Sequence, residues 1–189
     1  RWTSLTIGRD GFPIISHQNI NTGALRVTHC GNVACNNGNT STTVDDQVNF
    51  LGERTSIAVG ADGLPFIAYR DVTAGTLLVL HCGNVLCNGG NVRRSIEPTE
   101  SAAIAVAIGV DGLPLISHRF NGALRVVHCG NALCSAGNVS TAVDTDSGLT
   151  GYDSSVAIGS DGLPVLSHRG EASRTLRFTR CGNAACSSG

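Results

Sequence analysis

The sequence predicts an all-β repeat fold, on three observations. An eight-residue motif, Asp-Gly-x-Pro followed by three small or apolar residues and a histidine or tyrosine, occurs four times, at residues 10–17, 62–69, 111–118 and 161–168. Each copy leads to a Cys-Gly-Asn-x-x-Cys loop, at Cys30/Cys35, Cys82/Cys87, Cys129/Cys134 and Cys181/Cys186. The apolar runs are rich in small and β-branched residues, which favour strands. A unit of this size cannot bury its own apolar face, so neighbouring copies must stack.

The second copy defines the elements of one repeat. Residues 61–63 (Ala-Asp-Gly) form a turn in which the glycine supplies a positive φ, and Pro65 begins a strand, where its missing N–H does least harm. An almost wholly apolar strand then leads into the cysteine loop, and a more polar strand follows it. The four predicted strands of this copy are 56–60, 64–69, 76–82 and 92–96.

Inner strands that are small and apolar, with a polar outer strand, are typical of a β-propeller blade. The chain shows no 3.6-residue apolar periodicity that would indicate helices. We therefore expect a single β-propeller-like repeat domain, 1–189, of antiparallel four-stranded blades, with a β-solenoid as the alternative. The expected blades are 1–52, 53–101, 102–151 and an incomplete 152–189.

The fourth copy ends after its cysteine loop, where the other copies continue into an outer strand. Its third strand, 176–181, is therefore expected to have an unpaired edge, which natural proteins normally cover. Three explanations stand: the chain is part of a longer repeat protein, the edge pairs with another subunit, or four blades close with one incomplete.

The eight cysteines are predicted to form four disulfides, each within one copy, because a unit that recurs intact should be closed internally. Each bridge should stabilise the fold by about 2 kcal/mol on the chain-entropy estimate. Such bridges persist in oxidising compartments, so the protein is expected to be secreted, extracellular or on the cell surface. Metal binding is the alternative, since His29, His81 and His128 each precede a first cysteine, but the fourth copy has Arg180 there.

Composition excludes several classes of function. The net charge is −1 and all 13 basic residues are arginine, so Schiff-base lysine chemistry and a phosphate-binding P-loop lysine are ruled out. No charge excess draws in nucleic acid or an anionic membrane, and no apolar run reaches membrane-spanning length. We expect no cofactor, no nucleic-acid partner and no membrane insertion.

Polar and aromatic side chains end the second strand of every copy and form a candidate binding face. The segments that join successive blades are acidic, and include Asp45, Glu100, Asp144 and Asp153. A Ser-His-Asp hydrolase is one interpretation, and ion pairs from the arginines to acidic residues of the next blade are the favoured one. The candidate residues are His17, Tyr69, Arg70, His118, Arg119, His168 and Arg169.

Two weaker ligand sites follow from the same loops. Asp144 and Asp146 alternate as at the start of a calcium loop, but no glutamate follows at the twelfth position. A glycan is a candidate partner, with Trp2, Tyr69 and Tyr152 as the available aromatic platforms. Residues 39–41 and 138–140 also match the Asn-x-Ser/Thr glycosylation sequence.

The repeated Asp-Gly-Leu-Pro and Cys-Gly-Asn-x-x-Cys pattern resembles the tandem repeats of secreted bacterial proteins of β-propeller-like type. The order of inner strand, Asp-Gly turn and second strand is also similar to blades of YVTN-type and WD-repeat propellers, although the Trp-Asp dipeptide is missing. The resemblance covers all four copies. It implies an extracellular location and a propeller-like fold, but no activity and no catalytic residues.

Taken together, these features predict a non-enzymatic extracellular protein with a structural, assembly or adhesion role. The unpaired edge suggests self-association into rings or filaments. A glycan-binding, lectin-like module is the alternative.

Overall fold

The computed structural model describes residues 1–47, 51–100, 103–146 and 149–188. Within these residues, fifteen strands form four antiparallel sheets: sheets 1 to 3 have four strands each and sheet 4 has three. The strands are β1 (Ser4–Ile7), β2 (Pro13–Gln18), β3 (Leu25–His29), β4 (Thr40–Asp45), β5 (Glu53–Val59), β6 (Pro65–Asp71), β7 (Thr76–His81), β8 (Val92–Pro98), β9 (Ala105–Ile108), β10 (Pro114–Phe120), β11 (Ala123–His128), β12 (Val139–Asp144), β13 (Tyr152–Ile158), β14 (Pro164–Gly170) and β15 (Thr175–Arg180).

Each sheet is a meander in which consecutive strands are hydrogen-bonded neighbours: β1–β4, β5–β8, β9–β12 and β13–β15. The predicted β-propeller-like class, with four-stranded blades and a last blade of three strands, is confirmed. A solenoid would instead place parallel strands side by side. The single-domain assignment and the blade limits stay a prediction.

The Asp-Gly turn is closed by the aspartate itself. The Oδ1 atom of Asp62 accepts a hydrogen bond from the N–H of Leu64 at 3.0 Å, and Gly63 takes a φ of 83°. The other carboxylate oxygen of Asp62 lies 2.7 Å from Nε2 of His81, at the end of β7. The same pairing joins Asp10 to His29 and Asp111 to His128.

In the fourth copy the turn aspartate, Asp161, pairs with Arg180, which replaces the histidine. The histidines before the cysteines therefore hold the Asp-Gly turn against the third strand. The metal alternative for His29, His81 and His128 is wrong, because these imidazoles face the turn aspartates.

Four disulfides join the predicted cysteine pairs, with Cα atoms 4.7 to 4.9 Å apart. In the second loop, the N–H of Gly83 donates to Oδ1 of Asn91, and Nδ2 of Asn91 donates to the carbonyl oxygen of Cys87. A Cβ atom on Gly83 would lie 2.5 Å from the carbonyl oxygen of Gly89, so only glycine fits there. The equivalent Asn39 and Asn138 make the same two bonds.

These four disulfides indicate an extracellular or secreted protein. Among the residues described, no helix is long and apolar enough to cross a membrane.

The chain forms two compact units, Arg1–Glu97 and Pro98–Gly189. In the first unit, sheets 1 and 2 pack on a core of Ile14, Leu25, Val27, Leu51, Ile57, Ile67, Tyr69, Leu78, Leu80, Cys82 and Cys87. In the second unit, sheets 3 and 4 pack on a smaller core of Leu115, Leu124, Val126, Leu166, Cys181 and Cys186.

Candidate functional site

The last two residues of each motif are serine and histidine, except for Ala68 and Tyr69 in the second copy. They lie on opposite faces of the second strand, because successive residues of a strand alternate. In β10, Oγ of Ser117 lies 3.1 Å from Oγ of Ser154. The Nδ1 atom of His118 lies 3.1 Å from Oγ1 of Thr99. Ser117 and His118 therefore make different contacts, and these two neighbours do not form the Ser-His pair of a hydrolase.

The serine side of the motif joins one sheet to the next. In the first unit, Oγ1 of Thr55 donates to Oγ of Ser16 at 2.9 Å, and both residues are buried. Ser117 and Ser154 occupy the same two positions in the second unit. A hydroxyl pair therefore fixes the packing of adjacent sheets within each unit.

The other side of the motif contacts the preceding sheet. The hydroxyl of Tyr69 donates to Oδ2 of Asp45 at 2.6 Å, and Nε of Arg93 lies 2.7 Å from the same oxygen. Burial, and then the Asp45 carboxylate, raise the pKa of Tyr69 above its usual value, so the phenol stays neutral. The arrangement is a buried phenol–carboxylate–guanidinium contact.

In the second unit, His168 replaces the tyrosine. The N–H of Gly151 donates to Nδ1 of His168 at 3.3 Å, so the proton of the neutral imidazole lies on Nε2. That atom is 3.3 Å from Oδ2 of Asp144, and Nε of Arg177 is 2.8 Å from the same oxygen. Burial lowers the pKa of His168 against the opposing effect of Asp144.

Sequence reasoning missed the arginines of these contacts. Arginine occupies the position of Arg177 in three copies (Arg26, Arg125 and Arg177), and the second copy has Leu78. There Arg93, from the next strand, binds the carboxylate instead. The sequence does contain a signal for these contacts. An arginine recurs at one position of the third strand (Arg26, Arg125 and Arg177), and the outer strands of the first and third copies end in aspartate.

The two carboxylates of the calcium candidate are bound by an arginine. Arg177 contacts Oδ2 of Asp144 at 2.8 Å and Oδ2 of Asp146 at 2.9 Å, so one guanidinium binds both carboxylates and offsets one of their two negative charges. The remainder of that motif, Ser147 and Gly148, lies outside the described residues. Within the described ranges, no three His, Cys, Asp or Glu side chains are placed to hold a metal.

For Arg70 and Arg169, the predicted ion pairs to the next blade are wrong. Arg70 binds Glu53 at 2.9 Å, and these residues face each other within sheet 2. Arg169 binds Asp153 of its own sheet at 3.3 Å and Glu171 at 2.8 Å.

The remaining candidates of the binding face are also engaged. Arg119 is buried, pairs with Glu100 and donates from Nε to the carbonyl oxygen of Thr150 at 2.9 Å. His17 is half-buried, with Nε2 3.3 Å from Oγ1 of Thr28. Burial and then the charge of Arg26 lower its pKa.

The aromatic platforms expected for a glycan are covered. The guanidinium of Arg54 lies 4.0 Å from the ring centroid of Trp2. Arg119 and Arg169 lie 4.3 and 5.5 Å from the centroid of Tyr152. Tyr69 is fully buried.

The strongest candidate surface is the face of sheet 4 that carries Leu176 and Phe178, here named the open face of sheet 4. These side chains on β15 are 82% and 69% exposed. The pairing of β14 with β15 places them at the positions that Leu25 and Val27 hold in sheet 1. Leu25 and Val27 are fully buried in the core between sheets 1 and 2.

The second unit repeats this comparison. Leu124 and Val126 of sheet 3 hold the same positions and are fully buried in the core with residues of sheet 4. Both described sheet-to-sheet cores thus bury this face under the following sheet. Sheet 4 exposes it.

A cavity of about 160 Å³ lies on the opposite side of β15, within the second unit. Its walls include Val143 of β12, Thr179 and the Cys181–Cys186 loop. In the first unit, Leu80 and Leu86 stand at the positions of Thr179 and Ala185. Leu80 is buried in the core of the first unit, whereas the shorter Thr179 lines the cavity in the second.

The comparisons with known proteins identify the fold. No known family matches the sequence, and no curated protein matches it either. Among solved structures, a catalytically inactive virginiamycin B lyase from Staphylococcus aureus, solved with quinupristin, is similar at a TM-score of 0.55 and 11% identity. The alignment covers 96% of this chain and 56% of that one.

Two glycosidases show the same likeness. An α-L-arabinofuranosidase from Clostridium thermocellum has a TM-score of 0.59 at 8% identity, covering 94% of this chain and 67% of that one. A GH43 β-1,3-galactosidase has a TM-score of 0.58 at 9% identity, covering 96% and 42%. Their β-propeller folds agree with the four sheets described above.

These neighbours correct the prediction that the chain is not an enzyme. All three are enzymes or a variant of one, so the chain has an enzyme-related fold and the prediction is wrong. At 8 to 11% identity the likeness shows the fold alone, and carries no catalytic residue to this chain.

Proposed function

We propose that this chain is an extracellular assembly module that binds a further β-sheet on the open face of sheet 4. One observation carries the proposal. Leu176 and Phe178 are exposed at positions that are fully buried, by a following sheet, in both described sheet-to-sheet cores.

The energetics favour such binding. Burying a leucine or a phenylalanine side chain stabilises by about 1.5 to 3 kcal/mol each. Together the two side chains supply roughly 3 to 6 kcal/mol toward the entropic cost of association. Large exposed apolar patches mark protein interaction sites, and Leu176 and Phe178 expose two large apolar side chains next to each other on one face.

The backbone of β15 supports the same interpretation. It pairs with β14 on one side, and no described strand pairs with its other side. An edge strand exposes a row of N–H and C=O groups that can pair with another strand. Sheet 4 therefore offers an apolar face and a hydrogen-bonding edge together.

The test is the oligomeric state of the non-reduced protein, measured by sedimentation over a range of concentrations. We expect reversible association, and we expect Phe178→Ser to weaken it at least about tenfold, which corresponds to the loss of one buried aromatic. Ile20→Ser is the matched control, because Ile20 is 59% exposed but lies in the turn between β2 and β3.

Two outcomes would overturn the proposal. One is a protein that stays monomeric at high concentration. The other is association to which Phe178→Ser and Ile20→Ser contribute equally, since the open face would then have no special part.

A further inference from the structure

Resting on this proposed function, we propose that the sheet bound on the open face of sheet 4 is sheet 1 of a second copy of the chain. Sheet 1 carries the matching half of the repeated sheet-to-sheet contact. The contacts of sheet 1 with sheet 2 and of sheet 3 with sheet 4 show which residues of the two open faces would meet.

The matching half is an exposed row on the first strand, named here the open face of sheet 1. Leu5 and Ile7 are 56% and 54% exposed, and Thr3 beside them is exposed as well. Strand pairing aligns Leu5 with Ile57 of sheet 2, which is buried in the core against sheet 1. Sheet 1 thus exposes the face that is equivalent to the face of sheet 2 that packs on sheet 1.

A hydroxyl pair would fix the register of the new contact. Ser167 of sheet 4 holds the position of Ser16, and Thr3 holds the position of Thr55. Ser16 and Thr55 are joined by a buried hydrogen bond of 2.9 Å. Ser167 and Thr3 would make the same bond between two copies, with Leu5 packed near Leu176 and Phe178.

This contact joins two different faces of the same chain. Every copy has one open face of each kind, so the contact is heterologous and runs head to tail. Repeated addition gives a closed ring or a filament, depending on whether the rotation between copies closes.

Disulfide trapping between two chains tests the pairing. A chain carrying Ser167→Cys is mixed with a differently tagged chain carrying Thr3→Cys, under mild oxidation, and cross-linked heterodimer is measured by mass. The native cysteines are all in disulfides, so the new thiols are the reactive ones. We expect at least about tenfold more heterodimer than with Thr40→Cys, on the exposed start of β4, in place of Thr3→Cys.

One further variant calibrates the geometry. Ser16→Cys with Thr55→Cys in a single chain should form a bridge within the first unit, because their side-chain oxygens are 2.9 Å apart. Adding Phe178→Ser to the Ser167→Cys chain should abolish the heterodimer.

The outcomes separate the two proposals. If the calibrating bridge forms and Phe178-dependent association is present, but the Ser167–Thr3 pair gives no more heterodimer than the Thr40 control, the second-copy pairing is overturned and the assembly function stands. If the chain does not associate, both are overturned.

Discussion

At the scale of single residues, burial decides the charge of His168. Its imidazole is fully buried, its Nδ1 accepts the N–H of Gly151, and its Nε2 faces Asp144. Tyr69 performs the same contact with Asp45 in the first unit without a titratable group near neutral pH. In this contact, the second unit thus has a side chain that titrates near neutral pH, His168, and the first unit has one that does not, Tyr69.

This difference predicts how stability depends on pH. The pKa of His168 is lowered in the folded state by burial, so below pH 6.5 the unfolded chain binds a proton that the folded chain does not. Stability therefore falls as the pH decreases from about 6.5 to the folded pKa, by at most about 1.4 kcal/mol per pH unit for this proton. His17, whose pKa is also lowered, acts in the same direction.

His168→Tyr, which copies the second repeat, should reduce that slope and leave the slope of His17 in place. The measurement is urea unfolding at pH 7.5, 6.5, 5.5 and 5.0. Tyr69→Phe is the control, because it removes a hydrogen bond without changing the number of titrating histidines. Equal slopes for the wild type and His168→Tyr would refute the assignment.

Residue roles were predictable only where copies could be compared. Tyr69 in place of histidine indicated an aromatic packing role, and Tyr69 lies in the core of the first unit. The partners of Arg70 and Arg169 were not predictable, because a bulge sets the register that places Arg70 opposite Glu53 and Arg169 opposite Tyr152, beside Asp153. Arg54 and Asp153 take positive φ at those bulges, which their side chains give no reason to expect.

At the scale of elements, the cysteine loop differs between copies in what it packs against. Cys82 and Cys87 are both fully buried and belong to the core of the first unit. In the first copy, Cys30 is buried while Cys35 is only half-buried, and neither belongs to that core. The disulfide loop is therefore part of the core in the second copy, whereas in the first copy it lies outside that core.

Replacing each pair by alanine should separate these two contributions. Opening so short a loop costs about 2 kcal/mol from chain entropy alone. The Cys82→Ala/Cys87→Ala variant should lose roughly 1 kcal/mol or more beyond that, because it also leaves a cavity in the core. The Cys30→Ala/Cys35→Ala variant is the matched control within the same unit, and denaturant unfolding measures both; equal losses would contradict the packing role.

The packing of sheet 4 on sheet 3 gives a second prediction at this scale. Leu86 stands where the second unit has Ala185, whose chain neighbour Cys186 lines the cavity of about 160 Å³. Ala185→Leu should fill part of that cavity and stabilise the second unit by about 1 kcal/mol. Ala34→Leu is the control, because Ala34 holds the same loop position on the exposed surface of the first copy; destabilisation by Ala185→Leu would show that the cavity walls cannot accept the side chain.

Strand positions were mostly predictable from the sequence, and the exceptions have a physical cause. The Asp-Gly turns and Pro65 limit the second strand, so its predicted and observed starts agree within one residue. The first strand of the second copy begins at Glu53 rather than residue 56. Its extension passes through the bulge between Glu53 and Ser56, which apolar patterning does not show.

At the scale of the whole molecule, repetition made the architecture predictable and left the activity undetermined. Four similar copies require four similar sheets, and the three-stranded fourth sheet follows from the order of motifs. The exposed pairs Leu5 with Ile7 and Leu176 with Phe178 become informative only when strand pairing aligns them with buried counterparts. The difference in burial between equivalent positions is what distinguishes sheets 1 and 4 from the other sheets.

The asparagines that fasten the cysteine loops have a consequence for the order of events in synthesis. Asn39 and Asn138 begin Asn-x-Ser/Thr sequences, and their Nδ2 atoms donate to the carbonyl oxygens of Cys35 and Cys134. One N–H of each amide is held by the loop once it has closed, so the amide can no longer turn freely toward a modifying enzyme. In a host that glycosylates, we therefore expect attachment to precede disulfide formation, while Asn91, which has the same geometry but no acceptor sequence, is not a target.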